Sequence, residues 1–167
     1  FYTEMIMYDK RGRLYQEALK MFHYMPTAHI LNKIAFIVHG GIAEGLDIAE
    51  FNATSRLAPL GVDMIEAEML WNDPGEELGF TPNLDRGSIS KKFGPNVTKE
   101  FLKRNKMQVL IRSHTFVPSG SLVQQGGRTL TVFSAPNYCG VCKNEAAVLK
   151  IIMGKEKEGM RTKFCYF

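Results

Sequence analysis

The chain is poor in cysteine, with three residues, Cys139, Cys142 and Cys165, among 167. So few thiols build no disulfide framework at this length, and a reducing compartment is the default expectation. Long apolar runs are missing too. None approaches the roughly 18 residues of a spanning helix, so no membrane partner is expected. The opening residues, FYTEMIMYDKRGRLYQ, lack the basic-then-apolar order of a secretion signal and an initiating Met. A chain opening on Phe1 is expected to be a processed product or a piece of something longer. A large charge excess is also absent: 21 Lys and Arg face 17 Asp and Glu, giving +4. The basic residues are neither clustered nor interleaved with aromatics, so no nucleic-acid partner is expected. The mild excess fits an anionic ligand such as a phosphate ester, and equally an ordinary solvated surface.

What is present suits one domain, with 45% hydrophobic residues and no internal repeat. Leu14, Ala18, Met21, Phe22 and Met25 recur at helical spacing and predict an amphipathic helix stopped by Pro26. AHILNKIAFIVHGG reads as two short strands around an Asn32-Lys33 turn. Asp47 with Glu50 offers a capping box for a short helix, and Met64 to Leu70 is another helical candidate. Residues 72–95 are rich in Gly and Pro without a period and predict one long irregular loop. A helix over about 96–105 and a buried strand MQVLIR follow. Then come a hairpin turning at Gly126-Gly127, the strand EAAVLKIIM and a charged, aromatic C-terminal edge strand. The expected class is α+β with a mixed or antiparallel sheet.

Two of these strands end in the same way. AFIV stops on His39 before two glycines, and VLIRS stops on His114. Each histidine alone fits a satisfied core imidazole. As a pair delivered from rigid strand ends into loops, they also fit a metal site, since neutral imidazole suits zinc, iron or manganese. His23 and His29 lack that context. Arg86, beside Gly87, has the fork that matches two phosphate oxygens, although a surface arginine in a turn explains it as well. Tyr138 stands beyond Pro136, where a phenol can donate to an anion or simply cover the core. Asp73 reads as a turn cap. Cys139 and Cys142 form a CxxC that a strand follows instead of a helix, so they are expected to be ordinary loop thiols.

Taken in order, HGG after an apolar strand, LWNDP, DRG, FGPNVTKEFL, IRSH and TVFSAPNYCG resemble the second half of a known catalytic domain. It is that of the PPP-type serine/threonine protein phosphatases, and the phosphatase-five branch, whose members carry TPR repeats, is the most similar. The resemblance implies half of a metallophosphatase β-sandwich flanked by helices, spanning residues 1–167 as the C-terminal part of a calcineurin-like domain. It implies hydrolysis of phosphoserine and phosphothreonine in proteins, two divalent metal ions (manganese, or iron with zinc), phosphoprotein partners and a cytoplasmic or nuclear location. An upstream TPR regulatory domain is a further implied partner. Position by position, His39 and His114 would be ligands of one ion. Arg86 would clamp the substrate phosphate and Tyr138 would sit beside it. Asp73 and Cys139 would belong to the groove.

The same resemblance exposes departures. The 167 residues contain no Gly-Asp pair and no Asn-His-Glu, so the motifs GDxHG, GDxxDRG and GNHE are absent. Those would supply the carboxylate ligands and the general-acid histidine, so no catalytic acid is assigned in this segment. The upstream half of the domain is therefore an expected partner, and the segment alone is expected to be inactive, with a sheet face and edges left uncovered. RGSISKKFG is one residue longer than the usual spacing, and Thr115 stands where the family generally has Gln or Glu. The competing expectation is a phosphatase-like interaction module without catalysis. A nucleotide phosphoesterase is disfavoured by SAPNYC.

Overall fold

The computed structural model describes residues 1–53, 64–87, 90–154 and 160–167. The chain folds as two compact units. The first comprises Phe1–Pro26 and Asp47–Val62. Here α1 (Tyr2–Tyr8) precedes α2 (Arg13–Tyr24), the helix that the apolar spacing predicts. The Asp9 carboxylate accepts from the backbone N–H groups of Arg11 and Leu14, satisfying a donor that the first turn of α2 leaves free. The Phe1 ring lies against Tyr15 and Phe22 at 5.7 and 5.5 Å. In α3 (Ile48–Ala53), Asp47 caps the first turn by accepting from Ala49 and Glu50.

The second unit, Thr27–Leu46 with Asp63–Phe167, holds the sheets. β1 (Ala28–Leu31) and β2 (Ala35–Val38) form the expected hairpin. Asn32 and Lys33 both take positive φ, the conformation of a tight hairpin turn. Next come α4 (Met64–Trp71), α5 (Pro95–Arg104) and β6 (Val109–Arg112). The Gly126-Gly127 hairpin joins β7 (Ser121–Gln124) to β8 (Thr129–Val132). These strands make one sheet in the order β1-β2-β6-β8-β7, parallel through β2, β6 and β8 and antiparallel at both edges.

Residues 72–95 depart from the single irregular loop expected of them. They form a small sheet of β3 (Asp73–Pro74), β4 (Phe80–Pro82) and β5 (Lys91–Phe93). Strands of two or three residues between turns leave no period to read. Within RGSISKKFG, the stretch one residue longer than the usual spacing, residues 88 and 89 lie outside the described residues.

Side-chain alternation divides the large sheet into two faces. Ala35, Val109, Ile111 and Leu130 point one way, onto Leu149, Ile151, Met160 and Phe164. Those come from β9 (Ala147–Met153) and β10 (Met160–Tyr166), an antiparallel pair that matches the predicted terminal strands. Phe36 and Leu110 point the other way and are fully buried, with Phe36 edge-on to Phe101 of α5 at 5.0 Å. Each large side chain buried in this way contributes about 1.5–3 kcal/mol. The outward positions of β9 stay open, with Val148 and Ile152 each 46% exposed. No helix among the described residues is long and apolar enough to cross a membrane.

Candidate metal and phosphate site

β2, β6 and β8 run parallel, so their carboxyl ends open on one side, where loops gather in sheets of this kind. His39 follows β2, His114 follows β6, and the Phe133–Tyr138 segment follows β8. The backbone pairing continues past the strands, because Ser113 N–H donates to the His39 carbonyl at 3.1 Å. That register brings the two histidines side by side. Their rings stand 4.9 Å apart, and His39 Nε2 faces His114 Nδ1 at 3.2 Å. The two imidazoles converge.

The glycines after His39 have a steric origin. Gly40 and Gly41 N–H both donate to the Met69 carbonyl near the end of α4, drawing the backbone tightly against it. A Cβ on Gly40 would stand 2.5 Å from the Leu70 carbonyl carbon, and one on Gly41 would stand 2.1 Å from the buried Phe93 ring. Only glycine fits so close an approach.

The histidines open into a cleft of about 860 Å³, whose walls include Trp71, Arg86, Phe133 and Tyr138. Trp71 stands edge-on to His114 at 5.2 Å. Burial, with the positive charges of Arg112 and Arg86, lowers the His39 pKa. Burial and the charge of Arg86 lower that of His114 further, to about 4. Both rings are therefore neutral at pH 7, the form that binds metals.

Whether the pair fits a metal can be tested on this geometry. Two ring nitrogens bound to one ion at about 2.0–2.1 Å stand about 2.8–3.4 Å apart for bond angles between square and tetrahedral. The observed 3.2 Å lies inside that interval. His114 Nε2, the other ring nitrogen, is buried without a hydrogen-bond partner among the described residues. The residues fit as two ligands of one ion. They do not complete a set, since no group of three or more His, Cys, Asp or Glu among the described residues could hold a metal.

Arg86 sits on the turn between β4 and β5. Its Nε donates to Asp73 Oδ2 at 3.0 Å and its Nη2 reaches the His114 carbonyl at 3.5 Å. Asp73 therefore differs from the groove residue expected of it. It is buried, and its carboxylate accepts from Arg86, Arg112, Thr115 and Asn83. Burial alone would raise its pKa. The hydrogen bonds from Thr115 and Arg86, the charge of Arg112 and the bond from Asn83 outweigh burial and hold it at about 2.

Tyr138 lies on the cleft wall, its ring edge-on to Phe133 at 5.2 Å. Asn144 fixes this loop: its Oδ1 accepts from Tyr138 N–H and its Nδ2 donates to the Ala135 carbonyl, both at 2.8 Å. Cys139 is exposed on the same turn, and Cys142 is a free, exposed thiol. Sequence reasoning missed the roles of Arg112, Thr115, Asn83 and Asn144. Arg112 left a trace as a cation closing an otherwise apolar strand, and Thr115 as a departure from the family pattern.

The family model described as calcineurin-like phosphoesterase matches residues 1–118. A serine/threonine-protein phosphatase T from Trypanosoma brucei brucei is 34% identical over 90% of this chain and 31% of its own length. Serine/threonine-protein phosphatase 5 of Arabidopsis thaliana is 35% identical over 78% of this chain and 24% of its own length. The human protein of that name is 33% identical over 84% of the chain and 28% of its own. A solved Saccharomyces cerevisiae serine/threonine phosphatase, described as similar to human phosphatase PP5, superposes with a TM-score of 0.82. It is 27% identical and covers 98% of this chain and 54% of that one. The chain thus spans about a third or less of the length of these curated relatives. From its first residue to beyond His114 it matches one family model, and it belongs to the calcineurin-like phosphoesterases.

Proposed function

We propose that this chain is part of a metal-dependent phosphatase acting on phosphoserine and phosphothreonine in proteins. The observation that carries the reading is the pairing of His39 Nε2 and His114 Nδ1 at 3.2 Å in a cleft that Arg86 also lines. Its relatives' names, serine/threonine-protein phosphatase 5 and T, support the substrate class.

In this reading His39 and His114 hold one of two divalent ions, manganese or iron with zinc. A bound pair of such ions activates water and neutralises phosphoryl oxygens. The chain's own residues do the rest of the positioning. Arg86 Nε is held by Asp73, which leaves the outer guanidinium edge to donate to equatorial phosphoryl oxygens as charge builds there. Tyr138 lines the same cleft on a loop that Asn144 ties down, and its hydroxyl would donate to the phosphate. Trp71 and Phe133 contribute aromatic surface to the cleft beside the phosphate position. The remaining ligands and the general acid come from a companion segment carrying the GDxHG, GDxxDRG and GNHE motifs, which these 167 residues lack. That arrangement makes 1–167 the C-terminal part of the catalytic domain.

The test is hydrolysis of a phosphoserine peptide in Mn²⁺ by the longer polypeptide that joins this segment to those motifs, beside 1–167 alone. The reading expects turnover from the former and none from the latter, with nucleotide monophosphates hydrolysed poorly. Absence of turnover from the longer polypeptide, together with retained phosphopeptide binding, favours the second reading, a phosphatase-like interaction module. The incomplete ligand set among the described residues is the observation on its side.

A further inference from the structure

Arg112 closes β6 two residues before His114, and its side chain is wholly buried. A buried guanidinium needs its donors satisfied, and the identity of the acceptors is informative. Nε donates to the Gly40 carbonyl at 2.7 Å, and Gly40 is the residue after His39. Nη1 donates to Thr115 Oγ1 at 2.5 Å, and Thr115 is the residue after His114. Nη2 donates to Asp73 Oδ1 at 2.8 Å and points at the Asn72 carbonyl at 3.4 Å. The other oxygen of Asp73 holds Arg86. One planar group therefore touches the neighbour of each histidine and the carboxylate that aims the phosphate-facing arginine.

Thr115 closes the figure. Its hydroxyl accepts from Arg112 and donates to Asp73 Oδ1 at 2.6 Å, which uses its one proton. His114 itself has φ of 61°, the left-handed region that residues with a Cβ avoid. Such a conformation persists only where the surroundings over-determine it. The two side-chain bonds on Thr115 supply that restraint immediately after the strained residue.

We propose that Arg112, with Thr115 as its bridge, is a positioning residue that sets the spacing of His39 and His114 and the aim of Arg86. This rests on the functional reading given above. Arg112 does not line the cleft. It acts through backbone and carboxylate partners. A lysine at this position keeps the charge but lacks the rigid fork, so it cannot hold the Gly40 carbonyl, Thr115 and Asp73 together.

The experiment compares Arg112→Lys and Thr115→Val with the wild type in the longer, complete polypeptide. Readouts are the Mn²⁺ half-saturation by calorimetry, the Ki of inorganic phosphate, the separate kcat and KM, and Tm. Loss of a group that orients metal ligands costs about 10–100-fold in metal affinity or activity. Arg112→Lys is expected to raise the Mn²⁺ half-saturation and the phosphate Ki within that range, and to lower kcat more than it raises KM. Thr115→Val removes both side-chain bonds of Thr115 and should move both binding constants the same way, by about tenfold. Wild-type values of both constants in folded variants, with only Tm lowered, would overturn the proposal. Should Arg112→Lys fail to fold, Thr115→Val decides by the same two constants. A wild type that binds Mn²⁺ but hydrolyses no phosphopeptide overturns the functional reading alone, and the calorimetric comparison still decides this one.

Discussion

His39 Nε2 and His114 Nδ1 face each other across 3.2 Å, although the two residues are 75 apart in sequence. Nothing local creates that meeting. It follows from the parallel pairing of β2 with β6, Ala35 opposite Val109 through Ile37 opposite Ile111, continued by the Ser113-to-His39 backbone bond. Rigid strand ends hold the rings, and burial with two nearby arginines keeps them neutral. Replacement of either by Asn in the complete polypeptide should therefore abolish Mn²⁺-dependent turnover, by about 100-fold or more, and weaken Mn²⁺ uptake in parallel. Calorimetry of His114→Asn checks the ligand assignment directly. Unchanged Mn²⁺ binding would sink it.

Arg86 offers a second measurement. Asp73 holds Nε, so the guanidinium arrives in a fixed orientation. Arg86→Lys keeps a positive charge without the fork, and removal of one such donor costs about 10²–10³ in rate. Arg86→Lys should lower kcat/KM by that order and weaken inhibition by inorganic phosphate, while leaving the Mn²⁺ half-saturation near wild type. A variant that loses metal binding as well would show Arg86 to be structural instead.

Much of this site was legible because its signals are local. An apolar run ending in His is visible at His39 and again at His114, and the Asn32-Lys33 and Gly126-Gly127 turns announce their hairpins. What escaped depends on distant partners. Arg112 reads as the polar end of a strand, and its burial requires Gly40 and Asp73, which lie 72 and 39 residues away. Asp73 reads as a turn cap because Arg86, Arg112 and Thr115 reach it from other elements. The small sheet β3-β5-β4 was hidden by strands too short to show alternation. α1 was missed for a different reason: YTEMIMY is only seven residues long, too short to show a sustained period, and Phe1 offers no side-chain cap.

The acid side of the stability curve should show two separate steps. His114 has a folded pKa of about 4, below the usual 6.5, so the native state binds fewer protons than the unfolded chain between those values. Stability then falls as pH drops from 6.5 towards 4. Asp73 has a folded pKa of about 2 against 3.8, so the stability from its ionised form is present above 3.8 and lost as pH falls towards 2. That second step is on the order of 2 kcal/mol. Urea unfolding in EDTA at a series of pH values should show both. Asp73→Asn should erase only the lower step, and a lower step that persists in this variant would contradict the burial and pairing of Asp73.

The glycines after His39 give the last prediction, and it separates crowding from backbone strain. Gly40 has no left-handed φ, yet an added Cβ meets the Leu70 carbonyl carbon and oxygen at 2.5 and 2.6 Å and the Trp71 nitrogen at 2.7 Å. These are main-chain atoms of the α4 terminus and cannot turn aside like a flexible side chain. Gly45 has the opposite problem, with φ of 75° and nothing within 4 Å of an added Cβ. Gly40→Ala should therefore cost about 3 kcal/mol, the upper end of overpacking, and Gly45→Ala about 1 kcal/mol from left-handed strain. Only the first should also weaken Mn²⁺ binding, because relief of the clash must move the backbone that carries His39. Urea unfolding and Mn²⁺ calorimetry of the two variants check both statements. Equal stability losses with intact Mn²⁺ binding in both would show that the HGG turn does not set the position of His39.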